Sequence, residues 1–301
     1  MSRKGIILAA GLGTRLHPMT LAVNKQLIPV YDKPMIYYAL WVLLEAGVKD
    51  VLLVTSAVDK ESFIRLLGDG SRWGARVSYA VQVEPKGLVD AFMAAEDFIG
   101  GQPCMLILGD NIFYGPEFPE MLRKAAERRD GATVFGAIVK DPERFGVASF
   151  DAQGKVLTLE EKPRQPKSNC AVVGLYFYDG KVMDYARELR KQIPPDQEVS
   201  ITDVNRLYME KGTLNMQVFP EGFAWLDSGT HDSLLEASNY VAAVERREGR
   251  MICCPEEAAY RRGFLTAEQI REYGLADKNN NYGRYLTQLY SSIQKNPSER
   301  G

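Results

Sequence analysis

The chain has 301 residues, of which 46% are hydrophobic and 25% are charged, and its formal net charge at pH 7 is −2. This composition is typical of a globular protein with a large core, organised as one large α/β domain or as two smaller ones. A net charge this near zero excludes a general attraction to nucleic acids or anionic membranes, so an anionic ligand requires a local cluster of cations.

The first third of the chain alternates short apolar runs with helical patterns. Strands are predicted at residues 5–10, 51–54, 77–82 and 104–108, and helices at residues 35–45, 59–67 and 87–98. This alternation is typical of a mostly parallel sheet with helices on both faces. Ligands of such sheets bind at the carboxyl ends of the strands. The loop that carries Arg15 would lie there, together with Gln82 and Asp110.

The loop after the first strand combines glycines with cations. Gly11 and Gly13 allow a sharp turn that exposes backbone N–H groups to an anion. Arg15 offers a planar fork for phosphate oxygens, and Lys25 adds a second cation. Leu16 replaces the third glycine of a Rossmann fingerprint, and no Walker A sequence follows. The loop predicts a phosphate-binding site, and a plain strand–turn with a surface arginine is the alternative.

The middle of the chain changes character, and its predicted strand at residues 171–178 is rich in β-branched and aromatic residues. Strands are predicted at residues 133–139, 146–150, 155–161, 171–178, 213–218 and 223–226, with a hairpin turn at 151–154. Helices are predicted at residues 181–191, 202–210, 231–248, 256–262, 266–272 and 282–294.

Two aspartates and a lysine stand where apolar runs end. Asp110 follows a strand within Leu-Gly-Asp-Asn, and Asp227 follows Ala-Trp-Leu. Two carboxylates at strand ends, together with substrate phosphates, suit Mg²⁺, whereas a single one would be an ordinary turn aspartate. Lys162 ends the strand before Pro163 and could stabilise charge on a phosphoryl group, or belong to a solvated charge run.

The cysteines and histidines indicate neither zinc nor a disulfide framework. None of the four cysteines forms a Cys-x-x-Cys pair, and His17 and His231 lie far apart. Free thiols fit a reducing cytoplasm. No segment approaches the roughly 20 apolar residues of a membrane span. We therefore expect a cytoplasmic protein without a membrane or nucleic-acid partner.

The first loop resembles the signature of the sugar-1-phosphate nucleotidylyltransferases, Gly-x-Gly-Thr-Arg-Leu-x-Pro-x-Thr followed by a lysine. The residues at the family spacing are Gly11, Gly13, Thr14, Arg15, Leu16, Pro18, Thr20 and Lys25. Further similar segments are residues 25–38, 108–115, 141–147, 159–163, 166–169, 174–179, 201–206 and 225–237. This set resembles the thymidylyltransferases of the family, which join dTTP and glucose 1-phosphate into dTDP-glucose and pyrophosphate for deoxysugar biosynthesis.

The resemblance implies an architecture and an assembly. It implies a Rossmann-like α/β fold with a mixed, mostly parallel central sheet between helices, a small β-containing sugar-binding insertion and a C-terminal helical region. The nucleotidyltransferase domain would span residues 1–240, with the sugar-binding part at about 133–220. Residues 241–301 would form an oligomerisation region of a homotetramer. The implied cofactor is Mg²⁺.

The resemblance also implies roles for individual residues. The residues implied in catalysis are Arg15, Asp110 and Lys162. Those implied in nucleotide binding are Ala10, Gly11, Gly13, Thr14, Arg15, Lys25, Gln82, Gly87 and Asp110. Those implied in binding the sugar phosphate are Leu88, Gly146, Glu161, Lys162 and Val172, and the metal ligands would be Asp110 and Asp227. The sugar phosphate is its own nucleophile, so no catalytic Ser, Cys or His is required.

Three segments depart from the family pattern. Ala10 and Leu12 replace Gly and Ser, which leaves the phosphate loop possible if φ at Ala10 is negative. Residues 83–90 read Val-Glu-Pro-Lys-Gly-Leu-Val-Asp instead of Pro-Ser-Pro-Asp-Gly-Leu-Ala-Gln. Asp196 replaces an arginine that would contact the sugar phosphate, at a cost of roughly 1.5–3 kcal/mol. Two alternative functions therefore stay open. One is the same reaction with UTP or another sugar 1-phosphate, and the other is a catalytically weak nucleotide-sugar sensor.

The family also has a second, regulatory nucleotide site between subunits. Residues 115–119 and 220–222 replace its histidines and arginine with prolines and a glutamate. These replacements disfavour an anion, so the sequence predicts that this site is weakened or lost.

Overall fold

The computed structural model describes residues 3–82, 87–194 and 197–295. Within them the strands are β1 (Lys4–Ala9), β2 (Pro29–Val30), β3 (Lys33–Pro34), β4 (Asp50–Thr55), β5 (Arg76–Val81), β6 (Cys104–Leu108), β7 (Asn111–Tyr114), β8 (Ala132–Ile138), β9 (Gly146–Phe150), β10 (Val156–Glu161), β11 (Cys170–Tyr178), β12 (Leu214–Val218) and β13 (Ala224–Asp227). The helices are α1 (Ile36–Glu45), α2 (Lys60–Leu67), α3 (Leu88–Ala94), α4 (Glu96–Ile99), α5 (Phe118–Glu127), α6 (Val182–Gln192), α7 (Ile201–Glu210), α8 (His231–Glu248), α9 (Pro255–Arg261), α10 (Ala267–Ala276) and α11 (Asn281–Lys295).

In the described part of the chain, nine strands form one sheet. β5, β4, β1 and β6 are neighbours in that order and pair in parallel. β11 pairs antiparallel with β6 through its second half, with β9 through its first half, and with β8. β10 pairs antiparallel with β9, and β12 pairs in parallel with β8. Seven of the nine strands therefore run in one direction, which confirms the predicted mixed, mostly parallel sheet.

Helices cover both faces of this sheet. Successive residues of a strand point to opposite faces. Ile6 and Leu106 accordingly belong to one buried cluster, whereas Ile7 and Ile107 belong to another. All residues of α1 except Tyr37 are buried, because α1 packs between the sheet and α9. Continuous apolar strands require helices on both faces of a sheet, and the structure has them, which confirms the predicted α/β class.

Some elements differ from the prediction. The single helix expected at residues 87–98 is divided at Ala95 into α3 and α4. The short strands β2, β3 and β7 and the helix α5 were not predicted. The sequence of α5 does carry a helical signal, because Phe118, Leu122 and Ala125 recur at helical spacing and are buried. Pro34, which directly precedes the helix predicted at residues 35–45, pairs in β3, and the helix begins at Ile36.

The last three helices pack in series, with α11 on α10, α10 on α9 and α9 on α1. Glu256 in α9 is fully buried and accepts hydrogen bonds from Arg72 Nε at 2.8 Å and the Tyr282 hydroxyl at 2.5 Å. Arg262 donates to Glu45 of α1 at 2.9 Å. These buried carboxylates have cationic partners, as charges in a protein interior require. Across the described ranges, no helix is both long and apolar enough to cross a membrane.

Candidate active site

Two adjoining cavities open at the carboxyl ends of β1, β5 and β6, and both are lined by Leu108 and Asp110. The larger one has a volume of about 430 Å³, and the predicted residues that line it are Arg15, Asp110, Gly146, Glu161, Lys162, Val172 and Asp227. The smaller one has a volume of about 250 Å³, and the predicted residues that line it are Ala10, Gly11, Gln82, Gly87 and Asp110.

Of the remaining predicted residues, Gly13, Thr14 and Lys25 are not among the residues that line either cavity. Gly13 and Thr14 belong to the loop after β1, and Lys25 lies beneath it. Leu88 opens α3, and its side chain lies outside the described part of the structure. The structure thus brings the predicted nucleotide, sugar and metal residues to one edge of the sheet, as the topology requires.

The backbone of the first loop is held by its own hydrogen bonds. Gly13 has φ +61°, and its carbonyl oxygen accepts from Leu16 N at 2.9 Å and Thr20 Oγ1 at 2.8 Å. Such a φ favours glycine. A Cβ atom on Gly11 would meet nothing within 4 Å, so the absent side chain leaves the backbone open to a ligand.

The departures at Ala10 and Leu12 leave this loop unstrained. Within the described residues, positive φ outside glycine occurs at Tyr31, Lys162 and Cys253. Ala10 and Leu12 are therefore outside the left-handed region. Ala10 therefore meets the condition stated above, a φ that is not positive, under which the phosphate loop is preserved.

A partly buried ion pair lies where the two cavities meet. Lys25 is 6% exposed, and its Nζ lies 2.6 Å from Asp110 Oδ2. Asn111 Nδ2 donates to the other carboxylate oxygen, Oδ1, at 2.9 Å. Burial opposes ionisation of Asp110, but the Lys25 ammonium and these hydrogen bonds bring its pKa below the ordinary value. Asp110 is therefore a carboxylate at neutral pH.

The Asn24 side chain holds the turn that carries Lys25. Its Oδ1 accepts from Gln26 N at 3.0 Å, which caps the 3-10 turn Lys25–Leu27. Its Nδ2 donates to Ala9 O at 3.1 Å and to the Asp59 carboxylate at 2.8 Å. One buried amide thus joins the end of β1 to the start of α2 and fixes the direction of the lysine.

The second carboxylate, Asp227, has the opposite electrostatic environment. It ends β13 and pairs directly with Asn111 at the start of β7. Burial and the negative charge of Asp110 raise the pKa of Asp227. Arg144 Nη2 is 3.9 Å from its Oδ2, a long contact that leaves negative charge uncompensated. The pair of carboxylates therefore favours a cation between them.

The sugar side of the site is a hairpin packed against α7. Gly146 in β9 is paired with Val172 of β11 and with Glu161 of β10. Thr202 Oγ1 donates to Glu161 Oε2 at 2.6 Å, and a Cβ atom on Gly146 would lie 2.9 Å from that same hydroxyl. Only a residue without a side chain fits there without displacing Thr202.

The cations around the larger cavity are more exposed than Lys25. The Lys162 side chain is 68% exposed, with Nζ 3.4 Å from Glu161. Its φ of +43° is unusual for a lysine, and its N–H donates to Phe145 O at 2.9 Å. Arg15 lies over Gly229, where a Cβ atom would be 2.7 Å from Nη2. Both cations line the larger cavity.

Several residues of the site were missed by sequence reasoning. Gln26 is 4% exposed, lines the smaller cavity and has a buried Oε1 atom without a hydrogen-bond partner. Asn111 Oδ1 accepts from Trp225 Nε1 at 2.8 Å and from Gly174 N at 3.2 Å. Gln26 and Asn111 adjoin predicted residues, which was a usable signal, whereas nothing local marks Thr202. Asp196 lies outside the described residues.

Comparisons with known proteins identify the family of this chain. A family profile described as Nucleotidyl transferase matches residues 4–244. The chain is 52% identical over 287 residues to a glucose-1-phosphate thymidylyltransferase of Xanthomonas campestris pv. campestris strain B100, covering 95% of this chain and 97% of the relative. The chain therefore belongs to the nucleotidyl transferase family.

Two solved structures share the fold. One is a Bacillus anthracis protein, provisionally assigned as a glucose-1-phosphate thymidylyltransferase and crystallised with sucrose. It superposes with a TM-score of 0.73 at 38% identity, over 79% of this chain and 95% of that chain. The other is a UDP-glucose pyrophosphorylase bound to UDP-glucose, with a TM-score of 0.69 at 26% identity, over 82% and 100% of the two chains.

Proposed function

We propose that this chain transfers the thymidylyl group of dTTP to glucose 1-phosphate, giving dTDP-glucose and pyrophosphate. The observation that carries the proposal is the pair of cavities that meet at Asp110, one under the glycine loop and one against the β9–β10 hairpin. Two substrates that react with each other need two such spaces with a shared wall. The Xanthomonas relative is named for the same substrate pair.

The chemistry follows from the charges of the two substrates. A phosphate oxygen of glucose 1-phosphate attacks the α-phosphorus of dTTP, and the bond from that phosphorus to the pyrophosphate breaks. The nucleophile is already an anion, so the protein has to position and neutralise rather than remove a proton. Arg15 and Lys25 neutralise the leaving pyrophosphate, and Lys162 neutralises the sugar phosphate as the two anions approach.

Mg²⁺ is the cofactor that the donor set fits. Asp110 and Asp227 would hold it, and the raised pKa of Asp227, which burial and the charge of Asp110 cause, is consistent with a carboxylate that lacks a full counter-charge. Within the described ranges no group of three or more His, Cys, Asp or Glu side chains could hold a metal. Mg²⁺ typically uses one or two carboxylates and takes its other oxygens from water and substrate phosphates. When bound, it would neutralise phosphate charge.

The proposal includes an organisation of the whole chain. Residues 1–240 form the catalytic domain, with the sugar part at about 133–220, and residues 241–301 serve assembly of a cytoplasmic homotetramer. All four cysteines are free and buried, which suits a reducing compartment. Sedimentation of the full chain would test the tetramer, and a monomer at micromolar concentration would contradict it.

We also propose that the family's regulatory site is weakened in this chain. Gly115, Pro116 and Gly222 lie around a cavity of about 480 Å³ that also contains Arg250. The Arg250 guanidinium is 2.9 Å from Glu248, so its charge is already compensated. Calorimetry with dTTP or dTDP-rhamnose, after the active site has been blocked, should show no tight second site.

Pyrophosphate release provides the direct test. We would measure it with Mg²⁺ for dTTP, UTP, CTP, ATP and GTP against glucose 1-phosphate and its N-acetylamino relatives. Highest turnover with dTTP and glucose 1-phosphate is expected. Preference for UTP would instead favour the activity that the structurally similar UDP-glucose pyrophosphorylase is named for. Nucleotide binding without any turnover would favour a sensor.

A further inference from the structure

Arg190, near the end of α6, binds the chain that follows this helix. Its Nη1 donates to Gln197 O at 3.1 Å, and its Nη2 donates to Ile193 O at 3.1 Å and to Pro194 O. The side chain is 20% exposed. A planar guanidinium can serve several carbonyl oxygens in fixed directions, which a lysine cannot do. Arg190 therefore restrains the backbone on both sides of residues 195–196.

The same guanidinium reaches α3. Its Nη1 lies 3.8 Å from Asp90 Oδ2, a buried oxygen that has no hydrogen-bond partner. Asp90 is in the first turn of α3, which begins directly after Gly87. Gly87 and Ala91 line the smaller cavity. Arg190 thus links the helix on one side of this cavity to the segment that supplies its other side.

That segment places Glu198 against Gly87. A Cβ atom on Gly87 would lie 2.5 Å from Glu198 Cγ and 2.8 Å from its Oε1, and both residues line the smaller cavity. Val199 is fully buried, and Ser200 caps α7 by accepting from Asp203 N at 3.2 Å. Glu198 is anchored on its C-terminal side by this packing and on its N-terminal side by Arg190.

We propose that Arg190 is a positioning residue of the smaller cavity, which keeps Glu198 and Gly87 together and so sets the affinity for the nucleotide substrate. The proposal rests on the proposed function only in assigning the nucleotide to this cavity. Without the guanidinium, the carbonyl groups that it binds would form hydrogen bonds with water instead. The segment that carries Glu198 would then have to become ordered when the nucleotide binds, which costs binding free energy. The effect belongs to nucleotide binding and not to the chemical step.

The test compares Arg190→Ala and Arg190→Lys with Arg187→Ala. Arg187 lies one turn earlier on α6 and pairs with Asp184 at 2.7 Å and with Glu96. Its removal also breaks ion pairs but touches none of the carbonyl groups that Arg190 binds. We would measure the dTTP dissociation constant by calorimetry without sugar phosphate, KM for each substrate, kcat and the thermal midpoint.

Arg190→Ala should raise the Kd and KM for dTTP about ten-fold, with kcat and the KM for glucose 1-phosphate changed less than about two-fold. Arg190→Lys should not restore affinity, and Arg187→Ala should bind dTTP as the wild type does. Equal dTTP affinity in Arg190→Ala and Arg187→Ala, or full affinity in Arg190→Lys, overturns the proposal.

A second variant covers the case in which Arg190→Ala does not fold. Asp90→Asn keeps the shape of the side chain and removes the charge that faces Arg190, so it should weaken dTTP binding by about two- to three-fold. Unchanged binding in both Asp90→Asn and Arg190→Lys overturns the proposal. A wild-type protein that binds dTTP but releases no pyrophosphate contradicts the proposed function alone, because the calorimetric comparison does not depend on turnover.

Discussion

The two sides of the candidate site are built differently. The nucleotide side consists of loops after parallel strands, and its charged pair, Lys25 and Asp110, is held by the buried amides of Asn24 and Asn111. The sugar side is an antiparallel hairpin whose cation, Lys162, is 68% exposed and whose carboxylate, Glu161, is held by Thr202 from α7. The nucleotide side, called the preset side below, is fixed by buried side chains and their amide hydrogen bonds. The sugar side, called the dependent side, relies on an exposed cation and on a hydrogen bond from α7.

The largest effect should come from breaking the preset side. Lys25→Ala leaves Asp110 buried without its cation and removes a charge from the leaving pyrophosphate, so pyrophosphate release should fall by roughly 10²–10³-fold. Lys4→Ala is the matched control, because Lys4 pairs with Asp50 at 3.3 Å at the opposite edge of the same strands. A loss below ten-fold, or an equal loss in the control, would contradict the role of Lys25.

The sugar side should respond to restoring a cation. Asp196→Arg should lower the KM for glucose 1-phosphate at least about ten-fold, since a charge-assisted phosphate contact contributes roughly 1.5–3 kcal/mol. Ser200 should be left unchanged, because its hydroxyl caps α7. Steady-state kinetics would check this expectation, and an unchanged KM would show that Lys162 already compensates.

A methyl group on Gly146 should perturb the same side by displacing Thr202. Gly146→Ala places Cβ 2.9 Å from Thr202 Oγ1 and disturbs the hydrogen bond to Glu161, so the KM for glucose 1-phosphate should rise about ten-fold. In a Thr202→Ala background the same substitution should add little, because the colliding hydroxyl is absent. If the two substitutions changed the KM for glucose 1-phosphate additively, displacement of Thr202 would not be the cause of the Gly146→Ala effect.

The effect of Asp227 on the stability of the fold should depend on pH. Because burial and Asp110 raise the pKa of Asp227, the folded protein binds this proton more readily than the unfolded chain does. The folded state is therefore penalised as pH rises through the raised pKa, and the penalty is absent below the ordinary carboxyl pKa of about 4. Asp227→Asn should raise the thermal midpoint by roughly 2–4 °C at pH 7, not at pH 4, while abolishing turnover.

The smallest effect is expected at the altered loop. Leu12 is 64% exposed and has no positive φ, so Leu12→Ser should change the KM for dTTP by less than about two-fold. Kinetics with saturating glucose 1-phosphate would measure it. A large change would mean that this side chain contacts the nucleotide.

The sequence predicted the preset side better than the dependent one. Gly11, Gly13, Arg15 and Lys25 are close in the chain, so their spacing alone indicates a phosphate loop. On the dependent side, Thr202 acts on Glu161, 41 positions away, and no local pattern marks it. On the nucleotide side, no local pattern marks Arg190 either. The unpaired oxygen of Gln26 is likewise visible only once burial is known.

By itself the sequence determined the alternation of strands and helices, the glycine loop, the carboxylate that follows β6 and the carboxylate that ends β13. These features are local, because apolar periodicity and turn residues act over a few positions. The tertiary structure decided that β11 reverses direction between β6 and β8, that Lys25 pairs with Asp110, and that Asp227 stands beside Asn111. These contacts join residues far apart in the chain, and their energies arise only when the core is packed.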